Sequence, residues 1–334
     1  VTELYNEKPE VDTSDFKTVL YEGNGGTQYI SNVGFQPDLV WVKNRDESSY
    51  HYLYNTVSQG NLYSDSTASQ DANSVSSYGT ISPDAVGFDV TRGSNSSSNG
   101  LNKNGNDYVA WNWKSGGDAV LNEQGTIDSQ VSANTDAGFS IVKVNYGSGE
   151  YTQTVGHGLS QQPELIISKV TDSSSDWFTF SEYGGSLLGT NNILKLNTTA
   201  AATSDSFFDI STSTFKTGYS TGAYNAIAYC FHSVAGYSKI GSYSGNGTAN
   251  HEITDIGFQP NFLLIKNIGN SSTDWLMYDN RRGTTALAPN QAFAESTYGT
   301  SYEIEFISNG FKIIDSNNAT NQSGTDNFLY MAFK

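Results

Sequence analysis

Three short apolar runs recur along the chain, each entered through a proline and left through a lysine: Leu39-Val-Trp-Val42, Leu165-Ile-Ile167 and Phe262-Leu-Leu-Ile265. Apolar runs this short, bounded by turn residues, predict buried β-strands. Proline is tolerated at a strand entrance, and the lysine is expected to mark the exit to water. A second pattern alternates with a period of two. Val109, Trp111 and Trp113 share one face, as do Ile227, Tyr229 and Phe231, and again Leu329, Met331 and Phe333. Ala110, Asn112, Ala228, Cys230, Tyr330 and Ala332 occupy the opposite face. Such alternation predicts sandwich strands with a bulky side in the core and a mostly small side under close cover. Helical spacing is scarce, and polar stretches such as Ser64–Ser77 and Ser94–Gly105 lack it altogether.

These patterns are copies of one another. Gly34-Phe-Gln-Pro-Asp-Leu-Val-Trp-Val-Lys43 returns as Gly257-Phe-Gln-Pro-Asn-Phe-Leu-Leu-Ile-Lys266, and in degraded form over Gly158–Lys169, with Pro to Lys six residues each time. The small-residue turns that begin at Tyr21, Tyr146 and Tyr243 precede the proline by 16, 17 and 17 residues. Asp176-Trp177 and Asp274-Trp275 follow the lysine where the first copy has Tyr50-His51. A period of about 110 residues suits a small domain rather than a solenoid repeat. The expectation is all-β: three tandem antiparallel β-sandwich-like, jelly-roll-type repeats at 15–117, 138–236 and 237–334, with an N-terminal arm over 1–14 and a linker over 118–137.

Composition narrows the function. Of 334 residues only 15% are charged, while 13% are aromatic, so the surface is uncharged polar and the core is well supplied. A formal net charge of −17, with no basic cluster, makes nucleic acid and anionic membranes poor partners. No run approaches the ~18 apolar residues that predict a membrane span. Val1 at the start and Lys334 closing an apolar run predict a processed product or a piece of a longer chain.

Catalytic signals are few. His157 in Gly156-His-Gly158 has no histidine counterpart in the other copies and reads as a turn residue. Asp172, Asp176 and Glu182 could supply the paired carboxylates of a glycosidase, but Asp176 shares its repeat position with Asp274, which favours a turn or cap. Cys230, the single cysteine, falls on the small face of a buried strand and reads as packing, not as a nucleophile. No catalytic residues, metal ligands or cofactor sites are therefore expected. Aromatic rings with amide neighbours suit sugar binding, and by composition Tyr50, His51, Tyr52, Tyr63, Tyr219 and Tyr224 are the candidates for it.

As a set, several blocks resemble a repeat-bearing domain of tailed-bacteriophage structural proteins, common in marine phage and environmental viral sequences. They include Phe16–Gly25, Val33–Lys43, Val109–Lys114, Ala137–Val142, Gly236–Lys239 and Ser308–Lys312. The resemblance runs in order along nearly the whole chain and implies a virion appendage such as a tail fibre, spike or capsid fibre. It carries over no catalytic residue. The expectation is a non-enzymatic module on the virion surface whose partners are other virion proteins and host-surface glycan, as a homotrimer or as a monomer of pseudo-threefold shape. A connector or decoration protein and a glycan depolymerase are the alternatives.

Overall fold

The computed structural model describes residues 15–70, 75–94, 100–147, 153–181, 183, 192–204, 208–216, 222–324 and 327–334. It is almost all β, with antiparallel sheets throughout. The first lobe contains β1 (Phe16–Glu22), β2 (Thr27–Ile30), β3 (Leu39–Asn44), β4 (His51–Asn55), β5 (Leu62–Tyr63), β6 (Gly79–Asp84), β7 (Gly87–Arg92) and β8 (Asp107–Trp113). The second contains β9 (Val120–Asn122), β10 (Ser129–Asn134), β11 (Phe139–Tyr146), β12 (Val155–Gly156), β13 (Leu165–Val170), β14 (Trp177–Ser181), β15 (Asn192–Lys195), β16 (Thr203–Ser204), β17 (Asp209–Ile210), β18 (Thr214–Lys216) and β19 (Tyr224–Phe231). The third contains β20 (Ser238–Ser244), β21 (His251–Ile253), β22 (Phe262–Asn267), β23 (Trp275–Asp279), β24 (Gly283–Leu287), β25 (Ile304–Ile307), β26 (Gly310–Ile313) and β27 (Asn327–Phe333).

Each lobe is a two-layer sandwich. The large sheets run β1-β8-β3-β4-β5 and β20-β27-β22-β23-β24; the second lobe has the same order in β11-β19-β13-β14-β15, extended at its edges by β10-β9 and β16. The small sheets β2-β7-β6, β12-β18-β17 and β21-β26-β25 also match. Corresponding strands hold corresponding registers: Leu39 lies opposite Trp113, Leu165 opposite Phe231 and Phe262 opposite Phe333.

The alternation in β8, β19 and β27 is a division between two kinds of core. The small-sided faces pack inside their own lobes, Ala110 with Phe88, Ala228 and Cys230 with Phe215, Ala332 with Phe311. The bulky faces point the other way. Val109, Trp111 and Trp113 join Ile227, Tyr229 and Phe231 and Leu329, Met331 and Phe333 in one cluster common to all three lobes. Phe16 lies 5.5 Å from Phe262 and 5.1 Å from Phe333, Trp113 lies 5.6 Å from Phe262, and Phe231 lies 6.0 Å from Phe333. The expectation that each bulky face fills a separate sandwich is thus corrected. Both faces of a large sheet are covered, so the strands that carry them are apolar on both sides.

The lobes close a ring through heterologous contacts, each using one surface to meet a different surface of the next. Between the first and second lobes, Gln70 N donates to Thr171 O (2.8 Å) and Trp177 Nε1 to Tyr63 O (2.7 Å). Between the second and third, Ala202 N donates to Ile268 O (2.9 Å) and Trp275 Nε1 to Lys195 O (3.1 Å). The third meets the first through Ser49 N to Ala292 O (2.7 Å) and Glu295 N to Arg45 O (2.8 Å). This last junction alone joins lobes that are not consecutive in the chain, and it carries an ionic chain: Arg45 to Glu295 at 2.6 Å, Glu295 to Arg282 at 3.0 Å, Arg282 to Asp279 at 2.6 Å. Asp279 also accepts from Trp111 Nε1 of the first lobe at 3.1 Å.

Two further sequence expectations change. Lys43, Lys169 and Lys266 do not exit to water; all are fully buried at the lobe junctions. Lys169 Nζ reaches Thr67 O of the first lobe at 3.2 Å, and Lys266 Nζ reaches Thr199 O of the second at 3.2 Å. The stretch 118–137, expected as a linker, carries β9 and β10; β10 pairs with β11, and β9 pairs with β10 at the sheet edge. The arm over 1–14 lies outside the described residues.

Candidate functional site

The sequence candidates for sugar binding do not form a surface platform. His51, Tyr52, Tyr63 and Tyr224 are buried, because β4, β5 and β19 belong to large sheets covered on both faces. His51 sits where the other lobes have Trp177 and Trp275, opposite the strand lysine, and its Nδ1 accepts from Trp41 Nε1 at 3.2 Å. Burial first, then the positive charges of Lys43 and Arg282, holds its pKa well below the usual imidazole value. Tyr50 is half-buried with its ring 5.0 Å from Tyr63, and Tyr224 stacks on Tyr146 at 4.7 Å. Tyr219 lies outside the described residues.

The catalytic candidates are similarly engaged. His157 is buried, accepts at Nδ1 from Leu159 N (3.1 Å), and is pushed down to about 4 by burial. Asp176 is held by Asn197 (2.9 Å) and Lys195 (2.6 Å), while Asp172 accepts from the backbone and side-chain amides of Asn225 at 2.8 and 2.9 Å. Glu182 lies outside the described residues. Burial pushes the Cys230 thiol far up, the opposite of what a nucleophile requires. Among the described residues no cluster of His, Cys, Asp or Glu could hold a metal ion.

An open cleft of about 370 Å³ lies instead on the third lobe, between the loop that joins β22 to β23 and the loop that leads into the short helix Asn318–Asn321. Asn270, Ser272, Thr273, Asp274, Tyr302 and Asn317 are among its lining. The residue types are those of Asx turns: Asn270 Oδ1 accepts from Ser272 N at 2.8 Å, and Asn317 Oδ1 from Ala319 N at 2.9 Å. Asp274 is the one carboxylate in the lining, and both its oxygens are occupied. Oδ1 accepts from Asn290 (2.6 Å) and Gln291 (3.0 Å), and Oδ2 from the Tyr298 hydroxyl (2.8 Å). Burial, then this carboxylate, holds the Tyr298 pKa well above its ordinary value, so the hydroxyl stays a donor.

Tyr302 has a positive φ of 72°, a conformation that a bulky side chain rarely adopts. Its N–H donates to Asp315 Oδ2 and its carbonyl accepts from the Tyr278 hydroxyl, both at 2.7 Å. The backbone is clamped on both sides, and the ring at the cleft wall meets the Tyr298 ring edge-on at 5.3 Å. None of this site was singled out from the sequence. Its one signal there is the aromatic spacing Phe293, Tyr298, Tyr302 in a polar segment without strand alternation.

Fold and cleft together define an all-β protein of antiparallel sheets with a polar surface cleft. The chain belongs to the family described as a domain of unknown function, DUF7483, which it matches over residues 12–334. No curated protein and no solved structure matches it.

Proposed function

We propose that the protein is a bacteriophage virion module, displayed on the particle surface in a fibre, spike or other appendage, that attaches to host-surface glycan by binding rather than by catalysis. The observation that carries this reading is the shared aromatic core closed into a ring, which leaves the loops of each lobe on a rigid frame. A frame of that kind suits exposure outside a cell, where local unfolding invites proteolysis. The uncharged polar surface and the resemblance to tailed-phage structural proteins support the same reading, with other virion proteins as partners at the point of attachment.

The test has two arms. Imaging of the intact virion should place the chain at the particle surface with one end free, and purified protein should be retained by host cells and by isolated host polysaccharide. An interior location together with no retention by either would reject the attachment role. Release of reducing ends from the polysaccharide would turn the reading into a depolymerase instead.

A further inference from the structure

The cleft of the third lobe is flanked by a row of aromatic rings. Phe293, 41% exposed, lies 6.3 Å from Tyr298, and Tyr298 lies 5.3 Å from Tyr302, which forms part of the cleft wall. The rest of the lining is largely hydroxyls and amides. The side chains of Ser272, Ser316 and Asn318 are exposed and have no hydrogen-bond partner among the described residues. The Tyr302 hydroxyl has none either.

A pyranose ring presents an apolar C–H face and a rim of hydroxyls. The face packs on an aromatic ring, and the hydroxyls need groups that both donate and accept, which serine, asparagine and tyrosine supply. Charge decides between classes of sugar. Asp274 is already saturated by Asn290, Gln291 and Tyr298, the lining holds no lysine or arginine, and the Lys266 ammonium that bonds Thr273 O at 2.8 Å is buried. The cleft therefore offers an acidic sugar no counter-charge, and a net charge of −17 repels it.

We infer that this cleft binds a neutral saccharide, which stacks on the rings of Tyr302 and Phe293 and is hydrogen-bonded by Ser272, Ser316 and Asn318. The clamped backbone of Tyr302 and the edge-on contact of its ring with Tyr298 restrict the ring before the sugar arrives, which lowers the ordering penalty of association. The inference rests on the attachment reading and specifies its ligand and place.

The full chain is tested against an immobilised panel of neutral hexose and N-acetylhexosamine oligosaccharides beside sulfated and uronic-acid-containing ones. Retention is expected on neutral members only. Phe293→Ala, Asn318→Ala and Tyr302→Asn should each weaken it by about tenfold or more with the thermal midpoint unchanged; asparagine is chosen at Tyr302 because it tolerates positive φ. If Tyr302→Asn fails to fold, the other two variants, at exposed positions, decide. Neutral binding that all variants keep would overturn the site while leaving the attachment reading intact. Binding confined to acidic members would overturn the ligand class. No binding to any member, with host cells still retained, would overturn the inference and point attachment at a protein receptor.

Discussion

Burial lowers the pKa of Lys43, Lys169 and Lys266 to about 8, because each ammonium loses its water and is given mainly carbonyl oxygens in return. Asp65 and Glu295 oppose the shift at Lys43, Asp176 and Asp172 at Lys169, and Asp274 at Lys266. A lysine in the unfolded chain titrates near ~10.4. Between about pH 8 and about pH 10 the unfolded chain thus binds more protons than the folded one, so stability rises with pH and is lost as pH falls through 8. Two kinds of buried group with raised pKa act in the opposite direction: the single thiol of Cys230 once a free thiol ionises, near ~8.5, against three lysines, and the tyrosines once free tyrosine ionises, near ~10. The urea midpoint should increase from about pH 7.5 to about pH 9.5, and Lys266→Met should flatten that slope; equal slopes would mean ordinary lysines. At the ring closure, Asp279→Ala leaves the buried Arg282 guanidinium with Glu295 as its one carboxylate and the Trp111 N–H without its acceptor. It should lower stability by about 3–5 kcal/mol in urea titrations, and a loss under about 1 kcal/mol would deny the ionic chain its role. In the sequence these lysines read as strand ends because a single chain shows where an apolar run stops but not that another lobe begins there.

At the scale of the element, the strands were legible and their neighbours were not. The period of two in β8, β19 and β27 separated the two faces correctly, since side-chain alternation is local. Which face met which core depended on three distant segments and left no local trace. β9 and β10 escaped because Val120 and Leu121 are few and exposed, lying at a sheet edge within a polar stretch. The cleft escaped for a related reason: Asn270, Ser272 and Asn317 have the composition of any turn, and only the folded loops bring them into one cleft with Tyr302. The glycines that begin β7 and β26, by contrast, carry a definite constraint. A Cβ at Gly87 would sit 1.9 Å from Ile30 O, and one at Gly310 would sit 1.9 Å from Ile253 O, so the small-sheet strands pair too closely for any other residue. Gly310→Ala should cost about 1–3 kcal/mol and remove amide-exchange protection chiefly from β21, β25 and β26. Protection at wild-type level there would show that the sheet can widen at no cost.

At the scale of the molecule, a core shared by three lobes makes their stabilities inseparable. All five tryptophans, Trp41, Trp111, Trp113, Trp177 and Trp275, lie in the shared cluster, so tryptophan fluorescence reports on that core alone. Cys230 faces the other way, into the separate core of the second lobe, and is fully buried. The chain therefore carries two probes on opposite faces of one sheet. If each lobe were an independent sandwich, the thiol would become reactive at the denaturant concentration where the second lobe alone opens. With the shared core, no lobe can open without exposing the aromatic faces of its neighbours. At roughly 25 cal/mol per Å² of apolar surface that exposure is large against the ~5–15 kcal/mol of a whole domain's stability. Urea titration should give one transition, with tryptophan fluorescence and Cys230 labelling at the same midpoint. A chain truncated after residue 236 should show no such transition, because it leaves Phe16 and Trp113 without Phe262 and Phe333. Separate midpoints, or a truncated chain that unfolds cooperatively, would show that the lobes are autonomous and that their common core is only a contact between finished domains.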